Sequence, residues 1–413
     1  MTLATISDAA SALDISIDTL RRWDKSGVIR SIRNSQGHRQ FDLDEIERLR
    51  GKRAIRKRGE GGFSVFKSTP TNFVAIDLFA GAGGTALGLE NAGFQHVLLS
   101  EWDKNACDTL RANRPSWNVV EGDVSNLDFT PYRGLVDVVE GGFPCQSFSF
   151  AGKSRGFEDT RGTLFFEFAR AVSEVMPRVF IGENVKGLLR HDGGRTLETM
   201  INALKSIKDE NGIGYKVAYR VLRSQYLDVA QKRERVIIIG VRDDQDCPIL
   251  FPREKDYVVS LWEAINGCPK SEGQAYPPRK REIMDLIPPG GYWRDLPEAV
   301  QREYLAGSFH LSGGKTGMAR RLSWDEPSLT LTCSPAQKQT ERCHPEETRP
   351  LTIREYARVQ TFPDDWKFPG SIANAYKQIG NAVPVNMAYH VGRAAVAMLS
   401  RTDYDQFDEA TAI

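Results

Sequence analysis

The stretch "GGFPCQSFSFAG", Gly141 to Gly152, sets a thiol between a proline and a glutamine. It follows Val136–Val139, a hydrophobic run that reads as a buried strand. In an α/β protein, ligands bind and reactions run at the carboxyl ends of strands. Cys145 is therefore open to two readings: a small buried residue, or a nucleophile whose ionised form attacks. The other cysteines, Cys107, Cys247, Cys268, Cys333 and Cys343, are scattered, with no Cys-x-x-Cys pair and no His/Cys group at zinc spacing. They read as free thiols of a reducing compartment, so neither a disulfide framework nor a metal site is expected.

A second group has the makings of a nucleoside site. "IDLFAGAGGTALGLENAG" reads as a strand, a glycine turn and a helix, and Gly81, Gly83 and Gly84 let the backbone approach a ligand. Many nucleotide-binding folds share such a turn, but the Lys-Ser/Thr pair that cradles phosphate is absent. "SEWD" closes the next apolar run. There Glu101 is placed to take both hydroxyls of a ribose, and Trp102 to lie on an adenine face. Asp123, in "EGDV", closes a third run and can accept from the adenine amino group. A ribose and a base without a diphosphate describe S-adenosylmethionine better than a nicotinamide dinucleotide. The alternative is a structural turn with an incidental acidic residue.

These side chains need a scaffold, and the chain supplies the pattern of one. "FVAIDLF", "HVLLSEW", "VDVVEGG", "RVFIGEN" and "RVIIIGV" are short apolar runs, separated by helical text such as "TLFFEFARAVSEV" and "RTLETMINALKSIK". That alternation predicts an α/β fold, a mainly parallel sheet covered on both faces. It runs over 73–253 and resumes over 349–400, with a tail at 401–413. Between them, residues 254–348 are rich in Pro and Gly and irregular, as a small second domain would be. Residues 1–50 read as two helices, a ribbon turning at Gly37 and a third helix, "DLDEIERL". Arg48 to Arg58 is a basic run without acidic residues, so 51–72 reads as a flexible basic and Gly-rich linker. With 413 residues there is room for two or three domains. The net charge of +1 means that any nucleic-acid surface is local. No run is long enough to span a membrane and no leader pattern opens the chain, so a cytoplasmic protein is expected.

Five motifs in order, "DLFAGAGG", "GGFPCQSFSFAG", "ENVKG", "QKRERVIIIG" and "QIGNAVPV", resemble the motif set of DNA cytosine-5 methyltransferases. The resemblance implies a Rossmann-like methyltransferase sheet with S-adenosylmethionine as cofactor. It implies Cys145 as the nucleophile on cytosine C6, Glu183 as the group at N3, and Asn184 as a loop holder. Arg235 would then meet the base O2, and Arg233 a phosphate or the catalytic loop. Cofactor contacts are implied for Asp77, Phe79, Pro144, Leu164, Asn381 and Val383. The segment after Cys145 suits a mobile loop, with Lys153 and Arg155 on backbone phosphates. Residues 254–348 sit where this family keeps its target-recognition domain, and Arg320 and Arg321 are candidates to read bases there. "DTLRRW", "GHRQF" and "DEIERL" resemble the winged helix-turn-helix head of MerR-type regulators, with Arg21, Arg22 and Arg39 toward DNA. A helical adaptor with solvated arginines is the plainer view of that head. The expected partners are double-stranded DNA, promoter DNA of the protein's own operon and, functionally, a cognate restriction endonuclease. RNA cytosine methylation, or a regulator with an inactive methyltransferase body, are the alternatives.

Overall fold

The computed structural model describes residues 3–13, 17, 20–21, 24, 29, 31–34, 37–43, 46, 54–55, 61–144, 164–310 and 316–413. The chain divides into two compact units, 1–57 with 255–258, and 58–254 with 259–413.

In the first unit, Ala9, Ala10, Leu20, Ile29, Phe41 and Ile46 share a small buried core. Strand β1 (Leu3–Thr5) leads into helix α1 (Ile6–Ala12). The first turn of α1 is closed by Thr5 Oγ1, which accepts the Asp8 N–H at 3.2 Å. β2 (Ser31–Arg33) and β3 (Arg39–Asp42) are the expected ribbon, turned at Gly37 with φ of 80°. Strand β1 was not expected. It joins the ribbon in the order β1-β3-β2, setting the buried Ala4 opposite the buried Phe41. The basic run also contributes backbone here, since Ala54–Ile55 pair in parallel with Tyr257–Val258. Residues 255–258, expected in the small domain, thus belong to this unit.

The second unit is built on a seven-stranded sheet of β4 (Val74–Leu78), β5 (Gln95–Glu101), β6 (Val119–Glu121), β7 (Val138–Gly141), β8 (Val179–Val185), β9 (Tyr215–Arg223) and β10 (Glu234–Arg242). Their order is β9-β10-β8-β7-β4-β5-β6, and β10 alone runs against its neighbours. Helices α2 (Gly84–Ala92), α3 (Lys104–Asn113), α4 (Leu164–Val175) and α5 (Arg195–Ser206) lie between strands in sequence; α6 (Ile372–Asn381) and α7 (Val385–Ser400) return to the sheet from the C-terminal side. One sheet face, with Ala75, Val138, Val179, Ile181 and Ile237, is buried with residues of α2 and α7. The other, with Ile76, Val139, Phe180 and Ile238, is buried with residues of α4 and α5. Strands apolar on both faces are what a doubly covered sheet requires.

Two expectations at the edges of this unit are corrected. Residues 61–72 are not a free linker. The Phe66 N–H donates to Asn386 Oδ1 and the Asn386 amide donates to Ser64 O, each at 3.0 Å, while Phe66 stacks on Tyr389 at 5.7 Å. Nor are residues 401–413 a tail. There β12 (Phe407–Ala410) pairs antiparallel with β11 (Ile249–Pro252), and the Ile413 N–H donates to Val217 O at 3.0 Å. The irregular segment has a core of its own, including Tyr276, Met284, Trp293, Leu305, Met318 and Cys343. Its end is tied to the sheet unit by Ser328–Leu329, paired in parallel with Gln231–Lys232. No helix among the described residues is long and apolar enough to cross a membrane.

Candidate active site

β4 ends at Leu78 and the chain turns at once into α2. Phe79, Gly81 and Gly83 all take positive φ, of 61°, 54° and 86°. Gly84 serves a purpose the sequence did not suggest: a Cβ there would collide with the Val383 carbonyl oxygen. The C-terminal motif thus folds back on the first helix of the sheet unit, with α6 ending at Asn381 and Val383 resting on the start of α2. A Cβ on Gly83 would press on Leu110 and Trp366, whereas one on Gly81 would meet nothing closer than 3.9 Å. Of the three glycines, Gly81 is the one that leaves an open face.

Across the turn, Glu101 accepts the N–H groups of Gly81 at 2.7 Å, Trp102 at 2.9 Å and Asp103 at 2.7 Å. Its carboxylate therefore holds the glycine turn and the end of β5 in one geometry. Trp102 is 77% exposed, a large apolar plate beside that carboxylate. Asp123 is exposed at the end of β6; its Oδ1 accepts the Ser125 N–H at 2.9 Å, and that bond holds its carboxyl below the usual range.

β7, β8 and β10 supply the second half of the site. β7 carries the chain through Gly141 to the exposed Pro144. Cys145, Lys153 and Arg155 lie outside the described residues, and the chain re-enters them at the half-buried Leu164, where α4 starts. Because β10 opposes β8, its first residues lie beside the last residues of β8, and Arg235 is registered with Val185. Arg235 Nε reaches Glu183 Oε1 at 2.6 Å, with both side chains 13% exposed. Asn184 donates to Phe143 O and accepts the Val185 N–H, both at 2.8 Å. The strand end bearing Glu183 is thereby tied to the backbone two residues before Cys145.

Arg233 departs from expectation. It is 2% exposed and donates to Leu331 O at 3.3 Å, Gly380 O at 3.1 Å and Asn381 O at 3.3 Å. Burial lowers its guanidinium to about 9. It binds the end of the small domain to the C-terminal motif and has no surface to offer a phosphate. Asp77 is likewise only 1% exposed and stands opposite Glu140 on β7, so it is placed beneath the turn rather than toward a ligand. Burial pushes both carboxyls up, Asp77 to about 7. Sequence reading passed over Glu140, though a signal was there: it is the acidic residue in "VDVVEGG" two positions after Val138, on the same buried face.

The DNA-facing expectations divide. Arg321 is 3% exposed and donates to Met284 O at 2.7 Å, Thr348 Oγ1 at 2.8 Å and His344 O at 3.2 Å, which removes it from base reading. Arg320 is half-buried with its guanidinium 5.8 Å from the Tyr292 ring centroid. In the first unit, Arg21 and Arg39 line one groove of about 440 Å³ with Arg33, His38 and Gln40. Arg39 is there paired with Asp24 at 2.9 Å. Arg22 lies outside the described residues.

Residues 73–397 match the C-5 cytosine-specific DNA methylase family, and residues 4–60 the MerR HTH family of regulatory proteins. The chain is 54% identical over 415 residues to the Type II methyltransferase M.Eco47II of Escherichia coli, covering 96% of each chain. It is 57% identical over 347 residues to the Type II methyltransferase M.PspPI of Psychrobacter sp. (strain TA137), covering 82% of each. Among solved structures, a putative DNA modification methyltransferase encoded within an Escherichia coli prophage aligns with a TM-score of 0.58 at 24% identity, over 79% of this chain and 99% of that one. The Dnmt2 methyltransferase of S. pombe aligns with a TM-score of 0.51 at 15% identity, over 80% and 100%. These two likenesses show the shared fold. The family match takes in every strand of the sheet and the close relatives span most of the chain, so this protein belongs to the C-5 cytosine-specific DNA methylases and is a DNA cytosine-5 methyltransferase with a MerR-type head.

Proposed function

We propose that the protein methylates carbon 5 of one cytosine within a specific double-stranded DNA sequence, through a flipped-out base and a transient Cys145–C6 bond. The observation that supports this best is the Glu183–Arg235 pair, fixed at the strand ends beside the backbone that leads into Cys145. Carbon 5 of cytosine is a poor nucleophile. Addition of a thiolate at C6 breaks the aromatic ring and makes C5 enamine-like. Glu183 then meets N3, where negative charge gathers, and Arg235 meets O2 while orienting Glu183. Arg233 acts at a distance, by holding the C-terminal motif against the small domain. The proton on C5 leaves to water or hydroxide.

The residues at the ends of β4 and β5 fit S-adenosylmethionine as donor: an open backbone at Gly81, a fixed carboxylate at Glu101 and an exposed ring at Trp102. Bound there, it supplies an electrophilic methyl group. Phe79, Pro144, Leu164, Asn381 and Val383 complete the proposed pocket, with Asp123 toward the base. A cytosine inside a duplex hides C6, and extruding it costs a few kcal/mol. Lys153 and Arg155 hold phosphates as the segment after Cys145 closes on the base. The small domain reads the target. The head adds DNA affinity and represses the protein's own operon, in a cytoplasm that also holds an endonuclease of the same specificity.

Bisulfite sequencing of DNA from cells expressing the protein tests the reaction. A single sequence context protected from conversion, and lost with Cys145→Ala, is the expected result. Unprotected DNA throughout would leave the regulator reading in its place. For the head, Arg21→Glu should raise expression from the protein's promoter while the methylation pattern stays.

A further inference from the structure

Two buried amides join the end of the small domain to the helix end that carries Asn381. We propose that Gln231 and Gln360 are positioning residues that lock residues 331–333 to the end of α6, so that cofactor held at Asn381 and target DNA held by the small domain strengthen one another's binding. This rests on Asn381 belonging to the proposed cofactor pocket and on the small domain reading the target.

Helix α6 ends at Asn381, and the carbonyl groups of its last turn lack the helical partners that earlier turns have. Side chains from elsewhere take them. Gln360 donates to Ile379 O at 2.7 Å and to Ala382 O at 3.0 Å, while Arg233 donates to Gly380 O and Asn381 O. Both side chains connect onward to the small domain. Gln360 Oε1 accepts from Gln231 Nε2 at 2.8 Å, and Gln231 Oε1 accepts the Leu331 N–H at 2.9 Å. Arg233 also donates to Leu331 O. The N–H and the C=O of one residue are thus held by two routes that both end on the last turn of α6. Gln231 and Gln360 are each 0% exposed, so solvent does not replace a lost partner. Flipping either amide would set like groups against each other, which fixes the direction of the chain of bonds.

The contacts continue toward both ligands. A Cβ on Gly380 would collide with the Thr332 carbonyl oxygen, so the two backbones touch. Cys333 Sγ donates to Asn381 Oδ1 at 3.2 Å, which turns the Asn381 amide nitrogen away from the thiol. Thr332 is gripped by the Tyr356 hydroxyl, which accepts its N–H at 3.0 Å and donates to its carbonyl oxygen at 2.8 Å. Beyond Cys333 the chain makes a surface turn, with Gln337, Lys338 and Gln339 exposed and the Thr332 and Thr340 hydroxyls 3.0 Å apart at its base. A shift of Leu331 therefore strands buried groups on α6, and a shift of α6 strands them at Leu331. A ligand that fixes one end fixes the other, and the second ligand finds its site already ordered. By linkage the gain is the same whichever binds first.

S-Adenosylhomocysteine binds without turnover and serves as the probe on full-length enzyme, with the target duplex and a duplex of scrambled sequence. In wild type the target duplex should raise affinity for the probe about five-fold or more, and the probe should raise affinity for the target duplex by the same factor. The scrambled duplex should do neither. Gln231→Met keeps the side chain's length but severs Leu331 from Gln360, leaving the bonds of Gln360 to α6 in place. Both factors should fall to within about two-fold of unity, while DNA-free enzyme binds the probe as wild type does. Independent binding in wild type, or full coupling in Gln231→Met, would overturn the seam. A wild-type measurement covers poor folding of the variant. The probe alone should slow amide hydrogen exchange in the peptide of residues 329–333 about five-fold or more, and unchanged exchange would refute the seam. An enzyme that binds no S-adenosylhomocysteine refutes the proposed cofactor pocket as well; one that binds both ligands independently refutes the seam and spares that pocket.

Discussion

At the ends of β4, β7, β8 and β10, acidic and basic side chains sit on the sheet face that α2 and α7 cover. In the small domain, most of the basic side chains are spent on the domain itself. Arg321 is bound by three oxygens, Lys280 is paired with the fully buried Glu341, and Arg279 lies between Glu282 and Glu303. The first region has a large apolar core beneath it, and Asp77 and Glu140 are buried against that core with no basic partner among the described residues. The second has a small core and uses charge as mortar. The same residue types therefore signal chemistry in one place and architecture in the other, and burial within a rich core is what separates them.

Substitutions sharpen this contrast. Glu183→Gln should lower kcat about 100-fold or more, with little change in melting temperature, because it removes a reacting group and leaves the core intact. A large loss of stability with normal turnover would put Glu183 on the architectural side. Arg321→Ala should do the reverse. Stranding buried acceptors costs about 2–3 kcal/mol, seen as a lower melting temperature with kcat preserved at permissive temperature.

The acid pair should show itself in pH dependence. The folded-state value of Asp77 is raised to about 7 from 3.8, so the native state holds a proton that the unfolded chain releases. Its contribution to stability is full below about pH 4 and is lost as pH rises through about 7. Asp77→Asn should therefore decline less than wild type between those limits in thermal melts; parallel curves would deny the raised value of Asp77. The smallest effect is expected at Arg320, stacked on Tyr292 in the small domain. Arg320→Ala should weaken cognate DNA binding by about 1 kcal/mol and reduce the salt slope by about one charge.

Much of the sheet unit was legible because several independent constraints coincide there. A strand such as "VDVVEGG" must be apolar on both faces, and a glycine turn must follow β4 for α2 to pack under Val383. What could not be read came from contacts distant in sequence. Strand β12 is short and polar, and only its pairing with β11 makes it a strand. Residues 61–72 looked like a linker because nothing local reveals the Asn386 side chain that binds them. Arg233 and Arg235 share one motif and looked equivalent. Yet Arg235 lies within β10, opposite Val185, while Arg233 precedes the strand and turns toward backbone carbonyls. Periodicity assigns a face to a side chain only inside a regular element.

One sulfur–carbon bond carries the whole account. Full-length enzyme, incubated with methyl donor and a target duplex containing 5-fluorocytosine at the modified position, should yield a protein–DNA species that survives denaturation. Cys145→Ser should yield none. A serine variant that forms the species as well as wild type, or a wild-type enzyme that methylates native DNA and never forms it, would contradict covalent catalysis by Cys145.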